Sequence, residues 1–286
     1  MGGSASYRLA RRIANARDRG APQSEIDELE RRRQDALTAE RQKRQAAKQP
    51  PEKSFLDKLN SAKDEEELRK VMLEKYKPGF IHKEFLNKDL GMLKRALKTI
   101  DELETRFPEM KGKVHEFNAK YEIGTYGSMS LTGQLSITQS WDNFDDPDLY
   151  GDKNGWFHKN RTPEAVIAHE FAHAITARIL EKKYPELFDD GDIRPSKIYA
   201  NYEDYLQVKK EWSNGAFLKP LRKEALKALG LKVKDENLAT RQISRYAELN
   251  IHEAFAEAFA DVFANGDNAS EASKAYTNAL INALRS

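Results

Sequence analysis

Residues His169-Glu170-Phe171-Ala172-His173 constrain the fold more than any other stretch of this chain. The pattern H-E-x-x-H has chemical meaning on a helix, where residues four apart stand on one face and both imidazoles reach one metal ion. Glu170 falls near that face, where its carboxylate can take a proton from a water held by the ion. The flanking sequence is helical in character. Thr162 suits the N-cap, Pro163 the first helical position and Glu164 the first turn. Ala168, Phe171, Ala172, Ile175 and Ile179 then form an apolar stripe facing away from Glu170, so the helix can dock on a core while it presents the histidines. The plainer reading is a pair of structural histidines, but with six His in 286 residues a chance match to this spacing is uncommon.

The motif supplies two ligands, whereas a catalytic zinc normally has three from the protein and one open position. No third His follows at short spacing and the chain contains no Cys, so a carboxylate farther along is expected. The candidate stretch runs from Asn250 to Asp261. At helical spacing Glu253, Glu257 and Asp261 share one face, with Phe255, Phe259, Val262 and Phe263 opposite and Asn265-Gly266 as a stop. Three acids along a helix otherwise built from Ala and Phe can also be a solvated face. Two assignments stay open from spacing alone. Either Glu253 is the ligand and Glu257 stands behind it to orient a histidine, or Glu257 is the ligand and Asp261 takes the supporting role. Glu253 also lies three residues after Asn250, the position of the acid in a capping box.

With its partner stretch Glu253-Ala254-Phe255-Ala256-Glu257-Ala258-Phe259, the His169–His173 motif resembles the gluzincin zinc metallopeptidases of the anthrax lethal factor type, whose relatives include domains of phage and mobile-element proteins. The resemblance extends from about Tyr121 to the C-terminus, with specific motifs at 169–173 and 246–261 only. It implies an α+β, zincin-like domain with a small, mostly antiparallel sheet, a metal helix and a second Glu-bearing helix. It implies Zn2+ as cofactor, held by His169, His173 and Glu253, with Glu257 and Asp261 behind the ligands. In that family a tyrosine seven residues before the ligand Glu faces the substrate carbonyl, and here that position is Tyr246. The implied activity is endopeptidase cleavage of a protein or peptide substrate by a metal-activated water, with Glu170 as general base and Tyr246 as hydrogen-bond donor to the oxyanion. The competing view of Tyr246, one of eleven tyrosines, is ordinary half-buried packing.

The clearest β signal lies upstream. Residues 126–131 and 134–141 flank Thr132-Gly133, and Leu135, Ile137 and Trp141 alternate with Ser136, Thr138 and Ser140, as in a half-buried strand of a hairpin. By the resemblance, residues 134–140 would be the sheet edge that pairs with an extended substrate. Residues 142–162 read as a loop over the cleft, with His158 an exposed, lone loop histidine. Between the motifs, Tyr202–Trp212 and Leu218–Leu229 have helical spacing, broken at Gly215 and Gly230. This insert is expected to wall the cleft.

Charge and composition set the remaining bounds. A net charge of +2 gives no strong nucleic-acid signal, and the absence of Cys rules out a disulfide framework. No apolar run is long enough for a membrane span and no signal-peptide core is evident, so a cytoplasmic or phage-associated location is expected. Three segments are expected: a charged helical extension and linker at 1–52, a helical segment packing on the catalytic domain at 53–115, and that domain at 116–286. In the extension, Ser24 suits the N-cap of a solvated helix whose Ile26, Leu29 and Leu37 form too thin a seam for a coiled coil. Oligomeric state is not encoded in any motif. The alternative to an enzyme is a phage or mobile-element structural protein with a vestigial zincin-like domain, though such a module would have no use for Glu170.

Overall fold

A computed structural model of the chain describes residues 5–46, 54–76, 81–120, 126–138, 155–189, 192–193, 198 and 200–286. They fall into two compact units, Met1–Ser54 and Phe55–Ser286. The first is a helical hairpin of α1 (Ala5–Asp18) and α2 (Gln23–Ala46) around Ile13, Ala16, Ile26 and Leu29. The single helix expected here is two. Gly20, at φ 68°, and Pro22 interrupt the path, and Ser24 becomes the second residue of α2 rather than its cap. Ile13 is the partner that the seam of Ile26 and Leu29 lacked in sequence.

The larger unit is α-rich with a small mixed sheet, an α+β arrangement. Helices α3 (Phe55–Ser61), α4 (Glu65–Lys75), α5 (Lys83–Leu86) and α6 (Leu90–Arg106) precede β1 (Glu116–Lys120), β2 (Gly127–Met129) and β3 (Gln134–Thr138). After these come α7 (Pro163–Lys183), a short ribbon of β4 (Phe188–Asp189) and β5 (Asp192–Ile193), then α8 (Tyr202–Asn214), α9 (Lys219–Ala228), α10 (Glu236–Ile243), α11 (Ile251–Asn265) and α12 (Glu271–Arg285). One continuous apolar cluster runs from Leu59 to Leu284, so the segment before residue 115 shares its core with the rest.

The sheet order is β1-β3-β2, with β1 parallel and β2 antiparallel to β3. The sheet is therefore mixed, not mostly antiparallel. Strands β2 and β3 form the expected hairpin, and its turn needs Gly133, since a Cβ there would meet Lys113 O at 1.9 Å. Two expectations about β3 fail. It is the central strand, so residues 134–138 are not an edge, while 139–141 lie outside the described residues. Ser136 and Thr138 are as buried as Leu135 and Ile137, so both faces of β3 are covered, while β1 takes up the main-chain edge that a two-stranded hairpin would leave open. The outer strands are β1 and β2.

Helix α7 begins as its sequence foretells, with Thr162 Oγ1 accepting from Ala165 N and Pro163 in the first turn. It is buried on nearly all sides, including Ala165–Ala172 and Ala174–Ala177. Its Phe171 meets Phe259 of α11 with ring centroids 6.5 Å apart, and Phe107 meets both rings, at 6.4 and 5.6 Å. Phe255 packs on Tyr276 of α12 at 5.0 Å. Each such buried aromatic contributes about 1.5–3 kcal/mol. These contacts fix the acidic face of α11 opposite the histidines of α7.

Candidate metal centre

The two helices bring His169, His173 and Glu253 together as a group that could hold a metal ion, with their ligand atoms within 4.8 Å of one another. His169 Nε2 lies 3.2 Å from His173 Nε2 and 3.0 Å from Glu253 Oε2, and His173 Nε2 lies 3.6 Å from the same oxygen. Tetrahedral ligands about 2.0–2.1 Å from one ion would stand roughly 3.3–3.4 Å apart, close to these spacings. Glu253 Oε2 is buried and has no partner in hydrogen-bond geometry. Two ring nitrogens and a carboxylate oxygen this close together form a donor set that could hold a cation.

Glu253 does not close a capping box. Asn250 caps α11 alone, its Oδ1 accepting from His252 N and Glu253 N at 2.9 and 3.1 Å, while the Glu253 side chain turns to the histidines. One turn on, Glu257 is 1% exposed and its Oε1 accepts from His169 Nδ1 at 2.9 Å. That bond places the proton on Nδ1 and leaves Nε2 for a ligand. Asp261 lies elsewhere. Its Oδ1 accepts from Asn265 Nδ2 at 2.7 Å and its Oδ2 from Ser270 N at 3.2 Å, so it ties α11 to the start of α12. The helical face is shared, but four further residues of rise past Glu257, about 6 Å, carry Asp261 beyond the histidines.

The charge balance of the centre favours a cation. Burial would depress the His169 imidazole, but Glu253 and Glu257 outweigh it and hold its pKa up to about 10. Burial would likewise raise Glu253 and Glu257, yet His169 with His173 holds the first well below the carboxylate range, and His158 with His169 the second. Glu170 is different. Burial raises its carboxyl more than His169 and His173 lower it, and its Oε2 is buried without a hydrogen-bond partner. Burial raises the Tyr246 hydroxyl as well, reinforced by Glu253, Glu170 and Glu257, so it stays protonated as a donor.

Tyr246 sits in a short 3-10 turn, Tyr246–Glu248, with its ring 5.9 Å from that of His169. Glu170, His169, His173, Glu253 and Tyr246 all line one cavity of about 450 Å³. Its other walls are β2, Trp212 and Ser213 at the end of α8, Asn250 and His252. His252 packs edge-on to Trp212 at 5.2 Å, with Phe217 behind at 5.7 Å. Part of the insert between the motifs thus walls the cavity, as expected. Gly127 of β2 is set so close to Glu170 that a Cβ would lie 3.1 Å from its Cγ and Oε1.

Sequence reading misplaced His158. The residue is 2% exposed, and its main-chain N–H and Nδ1 face Glu257 Oε2 at 3.2 and 3.4 Å. A lone histidine in a polar loop carries no local sign of a partner 99 residues away. His252, adjacent to Glu253, was open to notice in sequence but offered no spacing to interpret. Of the loop expected over the cleft, residues 142–154 lie outside the described residues. Among family models, curated proteins and solved structures, no match to this chain is found.

Proposed function

We propose that the chain is a zinc-dependent endopeptidase of the gluzincin type on a zincin-like fold, acting on a protein or peptide substrate. The observation that carries this reading is the convergence of His169, His173 and Glu253 beside a buried Glu170 carboxylate. The donor set, two imidazoles and one carboxylate with Glu257 behind His169, suits zinc. Zinc held there would supply Lewis-acid activation of water and of the scissile carbonyl.

The chain's own groups account for the remaining steps. Glu170, whose raised pKa brings it nearer neutrality, accepts the proton of the attacking water and passes it to the leaving amine. Tyr246 donates its hydroxyl hydrogen to the oxygen that gains charge. Strand β2 offers the substrate a main-chain partner. Tyr126 O accepts from Thr138 N and Ser130 N donates to Gln134 O, at 3.1 and 2.9 Å, so the alternate residues Gly127 and Met129 direct their N–H and C=O groups away from β3. An extended peptide can pair along that edge, on which no strand of the described residues lies.

The reading is tested with purified protein and a mixture of peptides. The wild type should carry one zinc per chain, and His169→Ala or His173→Ala should lose it, because two protein ligands hold zinc poorly. Glu170→Ala should keep the ion and lose about 10²–10⁴-fold in hydrolysis. Undiminished turnover by Glu170→Ala would end the peptidase reading.

A further inference from the structure

Residues 155–158 touch the proposed site at two separate points. Gly155 O accepts from Arg245 N at 2.7 Å and Trp156 O from Tyr246 N at 2.8 Å, so main-chain bonds set the position of Tyr246. Two residues on, the strap reaches the metal side. His158 presents its N–H and Nδ1 to Glu257 Oε2, and the other Glu257 oxygen accepts from His169 Nδ1. A line of three buried side chains therefore runs from His158 through Glu257 to a candidate ligand.

His158 is an expensive way to fill this space. Its Nε2 is buried without a hydrogen-bond partner, a cost that an apolar side chain would not carry. What the imidazole adds is a second donor to a buried carboxylate oxygen that otherwise has one long main-chain bond. We propose that His158 is a positioning residue of the metal centre. Its Nδ1–H and N–H hold Glu257 in the orientation that leaves His169 Nε2 free for the ion, while the same strap holds Tyr246 in register with it. The proposal rests on the zinc-site reading above and adds a residue remote in sequence from both motifs.

Zinc affinity, read by competition with a chromophoric chelator, provides the test independently of turnover. His158→Ala should bind zinc about 10–100-fold more weakly than wild type, as when other groups behind a metal ligand are removed. At saturating zinc it should also lower kcat with little change in KM, since Tyr246 is displaced but the outer edge of β2 is not. His158→Asn, whose Nδ2 overlays Nδ1, should recover most of both. His158→Gln, whose amide overlays Nε2, should not. The Asn and Gln pair decides the matter if the Ala variant fails to fold. Wild-type affinity in His158→Ala, or equal behaviour of Asn and Gln, overturns the positioning role while leaving the zinc site intact. A wild-type chain that takes up no zinc overturns both.

Discussion

Glu253 and Glu257 stand one turn apart on α11, and their surroundings separate them. Glu253 Oε2 faces both Nε2 atoms, whereas Glu257 spends its oxygens on His169 Nδ1 and His158. Glu253→Ala should therefore lose zinc. Glu257→Ala should retain it with an affinity about 10–100-fold weaker. The opposite ranking in metal-content measurements would transfer the ligand role to Glu257. Tyr246 is tested separately, since it contributes a hydroxyl and no ligand. Tyr246→Phe should leave zinc content unchanged and cut kcat by about 10²–10³, the loss seen when an oxyanion donor is removed. Wild-type kcat in that variant would leave Tyr246 a packing residue. At this scale the sequence was legible where spacing is local: His169, Glu170, His173, Glu253 and Glu257 lie on two helices whose periodicity shows in the chain. His158 was not, because its role depends on a neighbour reached only through folding.

Among the elements, α11 shows how a cap serves a site. Asn250 takes up two otherwise unpaired N–H groups, one of them that of Glu253, so it holds both the helix start and the base of the proposed carboxylate ligand. Asn250→Ala should cost about 0.5–2 kcal/mol. Thermal denaturation should report a melting temperature lower by roughly 2–4 °C for each kcal/mol lost. An unchanged melting temperature would mean that water replaces the cap without penalty. Sequence predicted the helices well because caps, apolar stripes and glycine breaks are local signals. It misjudged the sheet because β1 lies parallel to β3, an arrangement that no hairpin pattern announces. Only that third strand makes β3 central and leaves β2 against Glu170, where Gly127 admits the close approach.

Across the whole unit, the candidate ligands form a buried group of opposite charges, with His169 between Glu253 and Glu257. Without the ion, the proton on His169 takes the place of the cation between Glu253 and Glu257. Its raised pKa contributes stability to the metal-free chain that is fully present below the ordinary histidine value near 6.5. That contribution is lost as pH rises through about 10. Zinc must displace this proton, so apparent zinc affinity should rise about tenfold per pH unit from pH 7 upward, in the window below about 10. Chelator competition at several pH values measures the slope. A flat profile would show that no proton leaves His169 when the ion enters. Among the described residues no helix is long and apolar enough to cross a membrane.

By itself the sequence determined the two helices that carry the candidate ligands, their caps, and His169 and His173 with Glu253 or Glu257 as the alternatives for a third, because a 3.6-residue period places side chains on a face without reference to the rest of the chain. Which acid faces the histidines was decided by tertiary structure. Packing of Phe171 and Phe259 sets the height of α11 against α7, and that height puts Glu253 level with both Nε2 atoms, Glu257 level with Nδ1, and Asp261 past the site. The strap from Gly155 to His158 was likewise decided there, since burial and pairing over about a hundred residues are properties of a packed interior and leave no periodic trace in the chain.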